Sequence, residues 1–279
     1  YFESFLQSSV FENEWEDCFE KAIITQPMKK IILILLFPVL VLAQDYELGK
    51  VTIAELNQKQ HPTDSSAAAA IIFSRGKSYF DYIGHFVLMT EIEVKIKIYK
   101  KEGLDWANKE IAYYIGGQDN ESVLINKAMT YNLVNGKIEK TKFNADGEFN
   151  ENVNKFWATK KITLPNVKEG SIIEYKYTIK SPHFSNLQDW KFQETIPVDY
   201  SEYKTIIPEY FSYNFYSRGN VKLNLKKETK HRTIVAYDEA ISKRGLNIAA
   251  QHASTRIGLS ENITIKKEKN VPALIEEEY

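Results

Sequence analysis

The segment FVLMTEIEVKIKIY (86–99) limits the fold of this chain more than any other stretch. Ile92, Val94, Ile96 and Ile98 alternate with Glu91, Glu93, Lys95 and Lys97. A period of two puts the aliphatic side chains on one side of an extended backbone and the charges on the other. A helix would spread both sets around its axis. The pattern therefore predicts a strand with one buried and one wet face. Charges on the wet face can pair with those of neighbouring strands, at up to about 1 kcal/mol per pair.

SIIEYKYTIK (171–180) has the same form, with Ile173, Tyr175, Tyr177 and Ile179 opposite Glu174, Lys176, Thr178 and Lys180. Before it, WATKKITL (157–164) runs into the turn residues Pro165 to Gly170, and the two segments read as a hairpin with a longer loop. Further strands are expected at 71–73, 107–115, 122–134, 198–207, 210–217, 221–228 and 231–237. Asn135-Gly136 marks a type I′ hairpin turn into KIEKTKF. Residues near 50–57 suit a short helical turn that ends before His61-Pro62. The stretch 239–253 fits neither period. With 17 Tyr and 15 Phe, composition also favours pleated, half-buried surfaces. Many short strands between turns, without βαβ alternation, predict an all-β, antiparallel sandwich or barrel with few short helices.

Residues 28–43 read Met-Lys-Lys followed by IILILLFPVLVLA. A basic start, a short apolar run and a small residue at the end are the parts of a signal peptide. Cleavage is expected between Ala43 and Gln44. The run is shorter than the roughly 20 apolar residues of a membrane span, and Pro38 interrupts it. The mature chain is thus expected to be exported to the periplasm or cell envelope with no stable membrane span. Residues 1–27 precede this start and read as an upstream, non-native leader. Cys18, the single cysteine, falls within them. Removing residues 1–43, with three basic and six acidic side chains, leaves 33 basic against 31 acidic. Such a balance gives no global field to attract nucleic acid.

No complete catalytic constellation is legible. His61, His85, His183, His231 and His252 share no metal-ligand spacing, and each reads as a surface or turn residue. The mature chain has no cysteine and no G-x-S-x-G elbow. Gly116-Gly117 and Gly170 lack the residues of a phosphate loop. Asp146, Glu148 and Glu151 crowd an acidic loop whose spacing differs from a calcium loop, and a solvated loop is expected there. No catalytic, cofactor or metal residue is assigned. What remains is the aromatic run Tyr210, Phe211, Tyr213, Phe215 and Tyr216. It reads either as a strand buried on both sides or as a platform for protein or glycan contact.

The stretch FWATKKITLPNVKEGSIIEYKYTIKSP (156–182) resembles the domain of unknown function found N-terminal to transglutaminase-like domains in exported Bacteroidetes proteins. HPTDSSAAAAIIF (61–73), KIYKKEGLDWANKEI (97–111), KAMTYNLVNGKIEKTKF (127–143) and WKFQETIPVDYSEYKTIIPEY (190–210) are similar as well. The resemblance implies an immunoglobulin-like sandwich over 44–269 and a linker over 270–279 leading to a further domain that carries a Cys-His-Asp triad. On that reading the chain is a non-catalytic, exported scaffold. It would present substrate to a downstream transglutaminase- or cysteine-protease-like domain, without a cofactor. A stand-alone envelope module that binds protein or glycan is the alternative.

Overall fold

A computed structural model describes residues 46–237, apart from 118 and 220, and residues 254–274. The chain is all-β. One short helix, α1 (Ile53–Asn57), precedes eleven strands: β1 (Ala69–Tyr82), β2 (Phe86–Ile98), β3 (Asn108–Tyr114), β4 (Ser122–Val134), β5 (Lys137–Lys142), β6 (Glu148–Asn152), β7 (Trp157–Thr163), β8 (Ile172–Ser181), β9 (Val198–Pro208), β10 (Asn224–Tyr237) and β11 (Ser254–Val271). Eight strands form a large sheet in the order β10-β11-β9-β1-β2-β8-β4-β5, and β3-β7-β6 form a small one. Pairing is antiparallel except between β1 and β9. The eight-stranded sheet is wider than either sheet of an immunoglobulin domain.

The two alternating segments are neighbours at the centre of the large sheet, with Ile96 opposite Ile173 and Val94 opposite Tyr175. Their aliphatic and aromatic side chains share one buried cluster with Ile111, Ile162 and Leu164 of the small-sheet region. This cluster is the core between the two layers. Each isoleucine buried there contributes about 1.5–3 kcal/mol. Asn135 (φ 50°) and Gly136 (φ 74°) join β4 to β5 in the left-handed conformation that a type I′ turn requires.

Three expectations are corrected. First, 157–164 and 171–180 are not a hairpin: β7 pairs with β3 and β6, and β8 pairs with β2 and β4. The loop between them carries the chain from one layer to the other, so the apolar faces of β7 and β8 meet across the core. Second, 210–217 is not a strand. Pro208 ends β9, and two of the aromatics after it, Phe211 and Tyr213, pack on neighbouring strands. Third, 224–228 and 231–237 are parts of the single strand β10, and 221–223 precede it. Thr229 and Lys230 between them carry no turn signal.

The acidic loop contains a 3-10 turn (Ala145–Gly147) and the short strand β6. Its carboxylates pair with lysines of β7: Lys160 with Glu148, and Lys161 with Glu151 at 2.7 Å. Strand β11 has no counterpart in the sequence reading. It continues through Val271, two residues into the expected linker. The proposed signal peptide, residues 1–27 and residues 239–253 lie outside the described residues. Among the described residues, no helix is long and apolar enough to cross a membrane.

Candidate functional site

The expected aromatic surface divides in two. Phe211 stacks on Phe80 of β1, with ring centroids 4.5 Å apart and planes 11° from parallel. It meets Phe86 of β2 edge-on at 5.3 Å and lies 5.0 Å from Phe184. The Tyr213 hydroxyl donates to the Phe184 carbonyl, and burial raises its pKa. Phe211 and Tyr213 thus pack against a small satellite core built on Phe80, Leu88 and Ile207. The other three face solvent: Tyr210 is 60% exposed, Phe215 43% and Tyr216 88%. The Lys266 ammonium lies 4.5 Å from the Phe215 ring centroid, in cation–π contact.

A second polar assembly was not foreseen. Lys95 and Lys97, expected on the wet face of β2, are fully buried, as is Glu174 of β8. Residues 46–57 cross this face as a strap. Lys95 donates to the Lys50 carbonyl at 2.8 Å and to Glu55 Oε1 at 2.7 Å. Lys97 donates to the carbonyls of Leu56 (2.8 Å) and Gly170 (2.6 Å). Glu174 Oε2 accepts from the Gly49 amide (2.7 Å) and the Tyr131 hydroxyl (3.0 Å), with Lys127 Nζ 3.6 Å away. Around these contacts, Tyr46, Leu48, Val51 and Leu56 pack on Ile72, Phe73, Tyr131, Ile172 and Tyr200.

The strap is locally preorganised. Thr52 caps α1 by accepting from the Glu55 amide at 3.1 Å, and Glu55 Oε2 accepts from the Thr52 amide at 2.7 Å. Glu55 therefore uses one oxygen for the cap and the other for Lys95. Burial, with a smaller contribution from Lys59, lowers the Lys97 pKa to about 8 against the opposing pull of Glu55. Burial and Glu174 together raise the Tyr131 phenol. A lysine so perturbed is a plain candidate for acid–base chemistry. Here, however, its ammonium is bonded to two backbone carbonyls beneath the strap. The assembly is built to anchor a chain segment.

The histidines differ in their settings. His61 is not a surface residue: it is 4% exposed, with Nε2 2.9 Å from Asp199 Oδ1 and Nδ1 3.3 Å from Thr63 Oγ1. Its polar neighbours in sequence gave no sign of this, because Asp199 lies 138 residues away. His183 Nε2 is 2.8 Å from the Asp119 carbonyl, and its ring meets Tyr114 edge-on. His231 Nδ1 is 3.0 Å from Ser260 Oγ across a rung of β10 and β11. Glu209 accepts from the Ser260 amide at 3.0 Å rather than from the imidazole. A carboxylate in that position does not orient the ring as a catalytic triad requires. Among the described residues, no group of three or more metal-ligating side chains converges.

The fold defines an all-β module of two layers with a strapped charged face. The chain belongs to the family described as "Domain of Unknown Function with solved-structure structure (DUF3857)", whose profile matches residues 89–240. No curated protein matches it. Among solved structures it is similar to a "putative protease" from Parabacteroides distasonis ATCC 8503, with 11% identity and a TM-score of 0.50. That match covers 75% of this chain and 37% of the other, so the chain spans just over a third of that protein's length. At this identity the likeness is one of fold.

Proposed function

We propose that this chain is an exported, non-catalytic β-module that scaffolds, or presents substrate to, a downstream transglutaminase- or cysteine-protease-like domain. The observation that carries the reading is how its buried ionisable groups are used. Lys95, Lys97 and Glu174 hold the strap, and His61 holds Asp199. Membership of DUF3857 and a fold shared with part of a longer protein support a module that works beside another domain. The chemistry would then be thiol acyl transfer on peptide amides, supplied by that other domain.

Two measurements test this. The purified chain, incubated with a labelled amine and casein or with casein alone, is expected to give neither cross-linking nor cleavage; turnover by the chain itself would refute the proposal. The reading frame that follows Tyr279 is expected to encode Cys, His and Asp in that order, and their absence would count equally against it. Export predicts a mature protein that begins at Gln44, and N-terminal sequencing showing Met28 retained would contradict that part.

The second reading, a stand-alone envelope module for protein or glycan, is favoured by one observation. Tyr210, Phe215 and Tyr216 present aromatic surface to solvent beside a packed satellite core. Glycan binding that disappears in a Tyr210→Ala/Tyr216→Ala variant would support it.

A further inference from the structure

We propose that β10 is a docking edge for an extended acidic polypeptide, which adds to the large sheet as a further strand. The proposal stands apart from the catalytic partner above, because any extended acidic segment could use the edge.

Among the described residues, strand β10 ends the large sheet and is hydrogen-bonded on one side only, to β11. Along its fourteen residues the other side presents backbone donors and acceptors with no sheet partner among the described residues. Such an edge is a template for a further strand.

Charge selects the partner. The whole chain has a net charge of −1, yet the described residues from Arg218 to Val271 carry ten Lys and Arg against three Glu. Each of those glutamates is engaged: Glu228 with Lys226 at 2.9 Å, Glu261 with Arg232 at 2.8 Å, and Glu268 with Asn224 at 3.2 Å. Among the described residues, Lys222, Lys227, Lys230 and Lys267 have no carboxylate within ion-pair distance. Lys266 turns its ammonium onto Phe215, and burial together with the neighbouring Lys227 lowers its pKa. The edge is therefore under-neutralised as well as unpaired.

Lysines on an edge strand also keep copies of the same sheet apart. The two roles have one cause: a positive edge repels its own copies and attracts an acidic strand. Strand β5, at the opposite edge, is guarded by its length of only six residues; β10 is more than twice as long. Exposed Leu225, on the same face as Lys227, offers apolar contact to alternate residues of an incoming strand. A lipid headgroup or a glycan would use the charges but could not pair with the backbone in register, so the edge favours a polypeptide.

The test uses the full chain and a fluorescein-labelled decapeptide of alternating Glu and Thr, followed by fluorescence anisotropy. The expected result is saturable binding that weakens with salt and falls about tenfold or more in Lys227→Glu/Lys230→Glu. Circular dichroism confirms that the variant is folded. A fully N-methylated peptide of the same sequence keeps its charge but has no backbone donors, and is expected not to bind. Equal binding of the methylated peptide, affinity unchanged by charge reversal, or binding to phosphatidylglycerol vesicles in place of the peptide would each overturn the proposal.

Discussion

The charged face of β2 and β8 has two ends, and they have opposite fates. At one end Lys176 reaches Glu93 (2.9 Å) and Glu91 (3.2 Å), while Arg75 reaches Glu93 (3.4 Å) and Glu202 (3.5 Å). These side chains stay between a fifth and a third exposed. Burial works against the charge of Glu91, but the Tyr79 hydroxyl, Lys77 and Lys176 prevail and its pKa is lowered. At the other end Lys95, Lys97 and Glu174 have no exposure at all. Both ends place charged side chains at the same two-residue spacing, with glutamates on β2 at one end and lysines at the other. The difference is the strap, a segment about 40 residues upstream of the lysines, which replaces water with carbonyls and one carboxylate. An alternating charged face is therefore not by itself a wet face. A distant segment decides that, if it brings the hydrogen bonds that buried charges require.

If this contrast is correct, substitutions at the two ends should differ in cost. Glu174→Ala leaves the Gly49 amide and the Tyr131 hydroxyl without an acceptor. It is expected to cost about 4 kcal/mol in urea denaturation. Lys95→Met keeps apolar volume but removes the hydrogen bonds to Glu55 Oε1 and the Lys50 carbonyl, and about 2 kcal/mol is expected. At the open end, Lys176→Ala should cost only about 0.5 kcal/mol, and less at high salt. Lys161→Ala, at the exposed pairs with Glu110 and Glu151, should leave the denaturation midpoint unchanged. Equal losses at the two ends would erase the distinction.

The same buried end also predicts a pH dependence. Lys97 is charged in both folded and unfolded chains below about pH 8, and its burial then opposes folding. Between about 8 and the ordinary lysine value of 10.5 the unfolded chain holds more protons, so stability rises with pH. Buried tyrosines such as Tyr131 and Tyr177, whose pKa values are raised, reverse the trend above about pH 10. In Lys97→Met the rise between pH 8 and 10 should be reduced, and a urea-midpoint series across that range would measure it.

How far the sequence reveals this fold depends on where the information lies. Strands β2 and β8 are legible because each carries its own period and sits at or beside the sheet centre, where burial enforces it. The Asn135-Gly136 turn is legible because its chemistry is local. The layer change between β7 and β8 is not, because a hairpin and a crossover share the same Pro and Gly signals. Strand β11 escapes notice because it pairs with an exposed edge and buries only Leu259, Glu261, Ile263 and Val271 among its described side chains. In the aromatic run, Phe211 and Tyr213 cannot be told from Tyr210, Phe215 and Tyr216 by composition; the partners Phe80 and Phe184 separate them. The strap left one trace, the Thr52 to Glu55 capping box, which marks a helix start but not the face it covers.

Lysine acetylation of the native protein, followed residue by residue with mass spectrometry, tests the burial of the charged face most directly. Lys95 and Lys97 are expected to react only when the protein is unfolded, while Lys161 and Lys176 react in the native state. Modification of Lys95 at the rate of Lys161, in protein that remains folded, would show that the strap does not seal this face.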